Sequence, residues 1–425
     1  VRHPILVIGA LILAGEAIFA LPFHVARFFR ATVLEVFGFS NANLGDVFAV
    51  YGITAMIAYF PGGAIADRFP PHKLMSLSLA ATALGGAYMA TIPGYLGMSV
   101  LFAYWGVTSI LLFWAALIRS TREWGGELSQ GRAFGILDGG RGLVAAGLAS
   151  IAVVIFGSRF AAGDLATDPA GRHAALVSVI IFYTAITLIA SVLTYWLIPR
   201  QTKSTSPHTL APLSNMGEVL RRPIVWAQAA IVVCAYCGYK GLDNYALYAV
   251  DVLGMSEVEA AGFTAASAYL RPVAAIAAGF LADRYSASRV MVALFLVVGA
   301  SYGLLGIAAP APGIKGMMIA NILISFAGVY ALRGVYFALL QETRIPGRLT
   351  GTAVGLISLV GYTPDIFFAA IGGRLIDNAP GVAGHQHYFL FLAGIMLAGV
   401  AATALLLVLN RRNARSQSPP VGVAP

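Results

Sequence analysis

The sequence predicts an all-α integral membrane protein in which twelve transmembrane helices form two pseudo-symmetric six-helix bundles. Three observations predict it: a composition too apolar for water, twelve apolar stretches of membrane-crossing length, and a short polar pattern that returns 216 positions later.

Of the 425 residues, 59% are hydrophobic and only 11% charged, with a mean hydropathy of +0.81. A water-soluble globule of this size needs more polar surface than that. A bilayer core about 30 Å thick takes roughly 20 apolar residues per helical crossing. By that ruler the crossings fall at 5–26, 45–66, 74–92, 96–118, 132–156, 173–198, 223–250, 257–282, 290–309, 315–340, 349–375 and 386–409. Long Leu/Ala/Val runs with many glycines favour helices over barrel strands, and no alternating segments with aromatic girdles occur. The first crossing is too long for a signal-peptide core and lacks a small-residue cleavage site, so no cleavable signal is expected. A start at Val1 rather than Met suggests that a few residues precede it.

Orientation follows from the 27 Lys and Arg. With a cytoplasmic N-terminus, 17 of them fall in cytoplasmic segments, six outside (Arg27, Arg30, Arg159, Arg172, Lys315, Arg374) and four within helices. The bias places both termini in the cytoplasm, with 411–425 as a cytoplasmic tail. It also accounts for the net charge of +9 by topology, with no nucleic-acid partner.

The second crossing ends in "GGAIADRFPPHKLM" (62–75), and the eighth in "AGFLADRYSASRVM" (278–291). The offset of 216 aligns Gly63, Asp67 and Arg68 with Gly279, Asp283 and Arg284, and also aligns the "GR" at 131–132 with that at 347–348. Two halves of six helices follow, 1–198 and 223–410, joined by a polar, Pro/Ser/Thr-rich linker, 199–222, in which Asn215 and Glu218 could cap a short helix. Duplicated halves around a midplane site are the architecture of secondary transporters.

The run "LPFHVARFF…FGFSNANLGDVFAVYGITAMIAYFPGGAIADRF", followed by basic residues, resembles the opening of a major facilitator superfamily transporter. In that family a Gly-x-x-x-Asp-Arg signature closes the second helix and recurs in weaker form after the eighth. The resemblance covers essentially the whole chain and implies a gating motif at Gly63, Asp67, Arg68 and Lys73, with a twin at Gly279, Asp283 and Arg284. It implies that Asp67 pairs with the positive end of a helix in the opposite half, latching the cytoplasmic side. Two departures stand out: Phe69-Pro70-Pro71-His72-Lys73 leaves one firm cation, and the fourth helix ("YWGVTSILLFWAAL") lacks the membrane Arg of many proton-coupled members.

Ionisable residues inside a membrane cost several kcal/mol unless they face a bundle interior or an aqueous cavity, so they mark the helices that line a pathway. They are Glu16 on the first helix, Asp138 and Arg141 on the fifth, Lys240 and Asp243 on the seventh, Arg271 on the eighth, Arg333 on the tenth and Asp365 on the eleventh. The third, sixth, ninth and twelfth crossings have none, as four peripheral scaffold helices would. Helical rise puts Glu16, Arg271 and Arg333 near the midplane, Asp138 and Arg141 nearer the cytoplasm, and Lys240, Asp243 and Asp365 toward the outside.

Asp138 with Arg141, and Lys240 with Asp243, are i,i+3 pairs that could neutralise each other. Arg271 and Arg333 have no carboxylate within four residues, so their partner is another helix or the substrate. Arg271-Pro272 and Pro364-Asp365 each set a charge beside a helix-breaking proline, a hinge as well as a site. Tyr236, Lys240 and Asn244 form one stripe suited to a polar solute, with packing as the competing role. Glu16, Asp365 and Asp138 are the proton-coupling candidates; Glu16 could equally bridge to Arg333 or Arg271. Arg271, Arg333, Tyr236, Lys240, Asn244 and Arg141 are the substrate-binding candidates.

Cys234 and Cys237 read as packed thiols rather than a redox or metal site, and His385 and His387 as an outer loop. No phosphate-cradling lysine loop occurs. No cofactor or metal is expected, and no nucleophile constellation or sizeable soluble output domain argues for an enzyme or a sensor. The expectation is a monomeric, multi-pass inner-membrane transporter working by alternating access. Two midplane arginines point to a small organic anion (carboxylate, sugar acid or phosphate ester), with the proton as coupling ion. Anion exchange and efflux of amphipathic compounds are the competing readings.

Overall fold

The computed structural model describes residues 3–126, 130–159, 168–200, 213–308, 311–343, 345–379 and 381–417. The rods expected from the sequence are all present: α1 (Pro4–Phe28), α2 (Asn41–Arg68), α3 (Pro71–Met89), α4 (Tyr95–Gly125), α5 (Arg132–Ser158), α6 (Pro169–Leu197), α7 (Pro223–Asp251), α8 (Glu257–Tyr285), α9 (Ala287–Ile307), α10 (Lys315–Val335), α11 (Leu349–Asp377) and α12 (Val382–Arg412). Eleven are long and apolar enough to cross a membrane. The exception is α3, whose 19 residues span roughly 28 Å but are rich in Ser, Thr and Gly. It stands beside a crossing helix, with the Ser76 hydroxyl 3.0 Å from that of Ser191 on α6. No strand occurs among the described residues.

Helix starts follow local chemistry. Proline opens α1, α3, α6 and α7, where its missing N–H would have had no partner. α2 begins with a capping box, Ser40 accepting from the Asn43 N–H while Asn43 accepts from that of Ser40. α8 begins with another, between Ser256 and Glu259. Ser40 and Ser256 are again 216 positions apart, so the repeat extends to the way these helices nucleate.

Apolar packing divides along the same line. One buried cluster runs through the second six helices, including Tyr245, Phe295, Tyr302 and Phe389. Two others belong almost wholly to the first six, around Phe102 and Trp105 and around Met75 and Phe113. The antiparallel course gathers Arg68, Lys73, Arg122, Arg132, Arg284 and Arg289 at one end, here the basic end.

The halves are tied together most densely toward the other, far end. There α2 and α11 meet backbone to backbone: a Cβ on Gly45 would sit 2.3 Å from the Ala369 carbonyl oxygen, and one on Gly52 2.4 Å from that of Asp365. Arg374 donates to Asp46 at 2.7 and 3.0 Å, Asn41 Nδ2 to Asp377 at 3.1 Å, and Thr32 to Glu257. Arg172 pairs with Glu257 at 3.3 Å and also with Glu35. Nearer the basic end, the last polar tie between the halves among the described residues is Arg271 to Asp138, 2.7 Å.

Other local expectations fare differently from one another. Of the two adjacent glycines on α2, a Cβ on Gly62 would sit 3.2 Å from the Leu111 carbonyl oxygen of α4, whereas one on Gly63 would meet nothing within 4 Å. His385 and His387 lie inside α12 rather than in a loop, His385 buried and 3.0 Å from Asp251. Cys234 and Cys237 are buried free thiols. The helix Leu213–Leu220 forms in the expected linker, while 201–212, with Lys203, and also Arg2 and Arg344, lie outside the described residues; so does the side chain of Asn215.

Candidate functional site

Five irregular turns shape the middle of the bundle. In α1 the stretch Ala20–His24 is π-helical. Pro22 lacks the N–H for the ordinary ladder, and its ring clashes with the carbonyl four residues earlier; widening the turn relieves both. The extra residue also makes the spacing from Glu16 to His24 act as two α-turns, which returns both to one face. Ile110–Trp114 of α4 is π-helical too. A 3₁₀ turn, Leu242–Asn244, interrupts α7. α8 restarts at Leu270 and α11 at Pro364, each beside the expected proline.

Between these turns lies a cavity of about 120 Å³. It is lined from α1 (Glu16, Phe19, Phe23, His24, Arg27), α2 (Tyr51, Ala55, Tyr59), α4 (Ile110, Trp114), α5 (Arg141), α7 (Tyr236, Tyr239, Lys240), α10 (Arg333) and α11 (Tyr362, Asp365). No lining residue comes from α3, α6, α9 or α12. The four expected scaffold helices are thus set back from the cavity, but so is α8 despite Arg271, while α2 and α4, which carry none of the interior charges named, line it. At roughly 12 Å³ of such volume per water, the space holds about ten heavy atoms.

Opposite charges meet in two groups. In the first half, Glu16 accepts from Arg141 Nε at 3.1 Å and lies 3.2 Å from His24 Nε2. Arg141 also lies over Phe19 and Trp114, 5.7 and 5.9 Å from the ring centres. In the second half, Lys240 Nζ is 3.3 Å from Asp365 and 3.5 Å from Asp243, and 4.4 Å above the Phe23 ring of the other half. Tyr236 donates to Asp365 at 3.0 to 3.1 Å. Arg27 closes the chain across the halves, with Nε 2.5 Å from Asp243 and Nη1 3.0 Å from the Tyr239 hydroxyl.

Arg333 is different. Its guanidinium lies 4.2 Å from the Tyr239 ring centre, and no carboxylate among the described residues bonds to it. A cation–π contact is worth up to about 2 kcal/mol when desolvated, less than the several kcal/mol that an unpaired buried charge costs. The charge is tolerable because it opens onto the cavity.

The structure thus brings together Glu16, Arg141, Tyr236, Lys240, Arg333 and Asp365. Three candidates go elsewhere. Asp138 and Arg141 do not neutralise each other: Arg141 reaches Glu16, and Asp138 takes Arg271 from the opposite half. Arg271, buried by this bridge and by Gly142, does not line the cavity. Glu16 accordingly bridges to neither Arg271 nor Arg333. Asn244 is turned off its stripe by the 3₁₀ turn and is buried outside the cavity. Lys240 and Asp365, expected toward the outside, share one cavity with Glu16 and Arg333.

At the basic end, Asp67, Arg68, Lys73, Asp283 and Arg284 are exposed, and no ion pair joins them to another described residue; Gly279, like Gly63, has open space around it. Among the described residues none from the opposite half is ion-paired with Asp67; Arg344 and the side chain of Arg348 lie outside the described residues.

Residues missed from the sequence are His24 and Arg27, and the aromatic wall of Phe23, Tyr59, Trp114 and Tyr362. Pro22 in mid-helix was the signal for His24. The 216-residue offset was the signal for both polar residues, since it maps His24 onto Lys240 and Arg27 onto Asp243.

Two helical bundles around a charged, aromatic central cavity define a membrane transporter. The chain belongs to the Major Facilitator Superfamily, whose model matches residues 6–369. It is 27% identical over 406 residues to the inner membrane protein YihN of Escherichia coli (strain K12), covering 93% of this chain and 94% of that protein. It is 28% identical over 286 residues to a probable nitrate/nitrite antiporter of Thermus thermophilus, covering 64% of this chain and 60% of that one. The crystal structure of nucleoside transporter NupG superposes with a TM-score of 0.72 at 14% identity, over 95% of this chain and 99% of that chain. That likeness is one of fold.

Proposed function

We propose that the protein is a secondary transporter that moves a small organic anion, a carboxylate, sugar acid or phosphate ester, by alternating access, coupled to protons. The observation that carries the reading is Arg333: a guanidinium fork facing a cavity for about ten heavy atoms, with no carboxylate of the described residues bonded to it. Lys240 and Arg141 flank it, each already balanced by a carboxylate. The nitrate/nitrite assignment of one relative agrees with anionic cargo.

The halves, 1–198 and 223–410, rock as units joined by the linker 199–222. With the basic end in the cytoplasm, as charge bias predicts, the far-end ties close the outside and the basic end opens inward. Arg271 with Asp138 is then part of the moving interface rather than of the binding site.

The test is uptake of a panel of organic anions into proteoliposomes, with and without a pH gradient. Arg333→Ala should raise KM for the transported anion by roughly 10- to 100-fold, the worth of a charge-assisted hydrogen bond, and Arg333→Lys should restore part of it. Equal transport by wild type and Arg333→Ala would falsify the anion site. The aromatic wall favours one competing reading, efflux of amphipathic compounds; aromatic cations in the same panel test it, and their transport undiminished in Arg333→Ala would favour it.

A further inference from the structure

We propose that the coupling proton is bound at His24, on Nδ1, with Glu16 and Arg141 fixing the imidazole rather than exchanging protons themselves. The proposal rests on the transport reading and assigns its proton site.

His24 is buried, at 3% exposure, in the π turn of α1, and its ring borders the cavity. Its Nε2 meets Glu16, while Nδ1 has no hydrogen-bond partner in the protein. The groups facing it are Glu16 on its own helix, Arg141 on α5 and Tyr183 on α6, whose ring centre is 5.9 Å away and whose hydroxyl is likewise unpartnered. The ionisable residues of α3, which also packs on this turn, stand away from it: His72 and Lys73 at the basic end, and Tyr88 exposed; α2 and α7 meet the turn through Phe23, bringing Tyr51 and Lys240 against that ring.

Glu16 is held by a guanidinium that does not deprotonate in proteins, so its carboxylate is the stable form. A neutral imidazole donating from Nε2 to that carboxylate leaves a buried, unpartnered lone pair on Nδ1 of a ring that borders the cavity. A proton added there leaves the imidazolium its Nε2–H bond to Glu16; no other bond breaks.

The sequence repeat gives a second, independent reason. His24 stands 216 positions before Lys240, so the two occupy equivalent places in the two halves. Each is paired with a cavity carboxylate, Glu16 for His24 and Asp365 for Lys240. One half has a lysine at this place and the other a histidine. Protonating His24 gives the two equivalent places the same charge and adds one positive charge to a cavity already offering Arg333. Proton and anion then bind cooperatively, each raising the other's affinity on the order of tenfold.

The experiment is an infrared difference titration of the purified full-length protein without solute, from about pH 8 to about pH 5. Wild type is compared with His24→Gln, His24→Lys, Glu16→Gln and, as a control, His72→Gln. Wild type should show an imidazole protonation step that is absent from both His24 variants and present in His72→Gln. His24→Lys keeps a cation opposite Glu16 and serves if His24→Gln fails to fold. The step surviving in either folded His24 variant overturns the proposal. So does a carboxylic acid C=O band that grows in wild type on acidification and is missing from Glu16→Gln, which puts the proton on Glu16. Because no solute is needed, failure here is separate from failure of the anion reading, which Arg333→Ala tests.

Discussion

Arg27 and Asp243 are both about nine-tenths shielded, and neither side chain can be spared alone. Removing one partner of such a pair leaves the other charge uncompensated and typically costs about 3–5 kcal/mol, whereas replacing both by apolar groups is often neutral. Asp243→Asn should therefore lower the thermal unfolding midpoint in detergent sharply, and Arg27→Met with Asp243→Leu should recover most of it. Arg374 and Asp46 are far more exposed, and Arg374→Ala should move the midpoint in the same assay little. At this scale the sequence named the charges better than their partners. Ionisable residues in lipid are few, so Glu16, Arg141, Lys240, Arg333 and Asp365 stood out by type alone. Partner choice failed for Asp138 and Arg141 because helical spacing sees one helix, while each takes its partner from another, Arg141 from α1 and Asp138 from α8 across the crevice.

The helices were legible wherever a local residue dictates the backbone. Ser40 and Ser256 start α2 and α8, and the breaks beside Pro272 and Pro364 fall where proline demands them. The π turn at Ile110–Trp114 contains no proline, and nothing local announces it. Pro22→Ala would let the ordinary ladder close and turn His24 roughly 100° off the Glu16 face. The expected outcome is loss of the imidazole titration step with folding retained, measured as above. Gly52→Val adds bulk where a Cβ is already 2.4 Å from the Asp365 carbonyl oxygen. It should wedge α2 from α11 and raise the labelling rate of single cysteines placed at the far end.

For the whole molecule, one arrangement is on view, with far-end ties made and, among the described residues, no ion pair at Asp67. The latch residues should matter in the other arrangement. Asp67→Asn is expected to leave the present state intact and to lower the population with the basic end closed. Thr32→Val with Arg374→Ala should raise that population by weakening the far-end ties. Electron–electron distance measurements between spin labels across each end give both populations, and a shift of the same sign in the two variants would contradict this scheme.

Arg27 and Asp243 differ by 216 positions, the period of the repeat itself, so each is the other's counterpart across the pseudo-two-fold axis. In a perfectly repeated chain, or in a symmetric dimer of single halves, the same residue would face its own copy there. Two arginines or two aspartates would repel at that point. The bond is open only to a chain whose halves have diverged, so here attraction itself depends on broken symmetry.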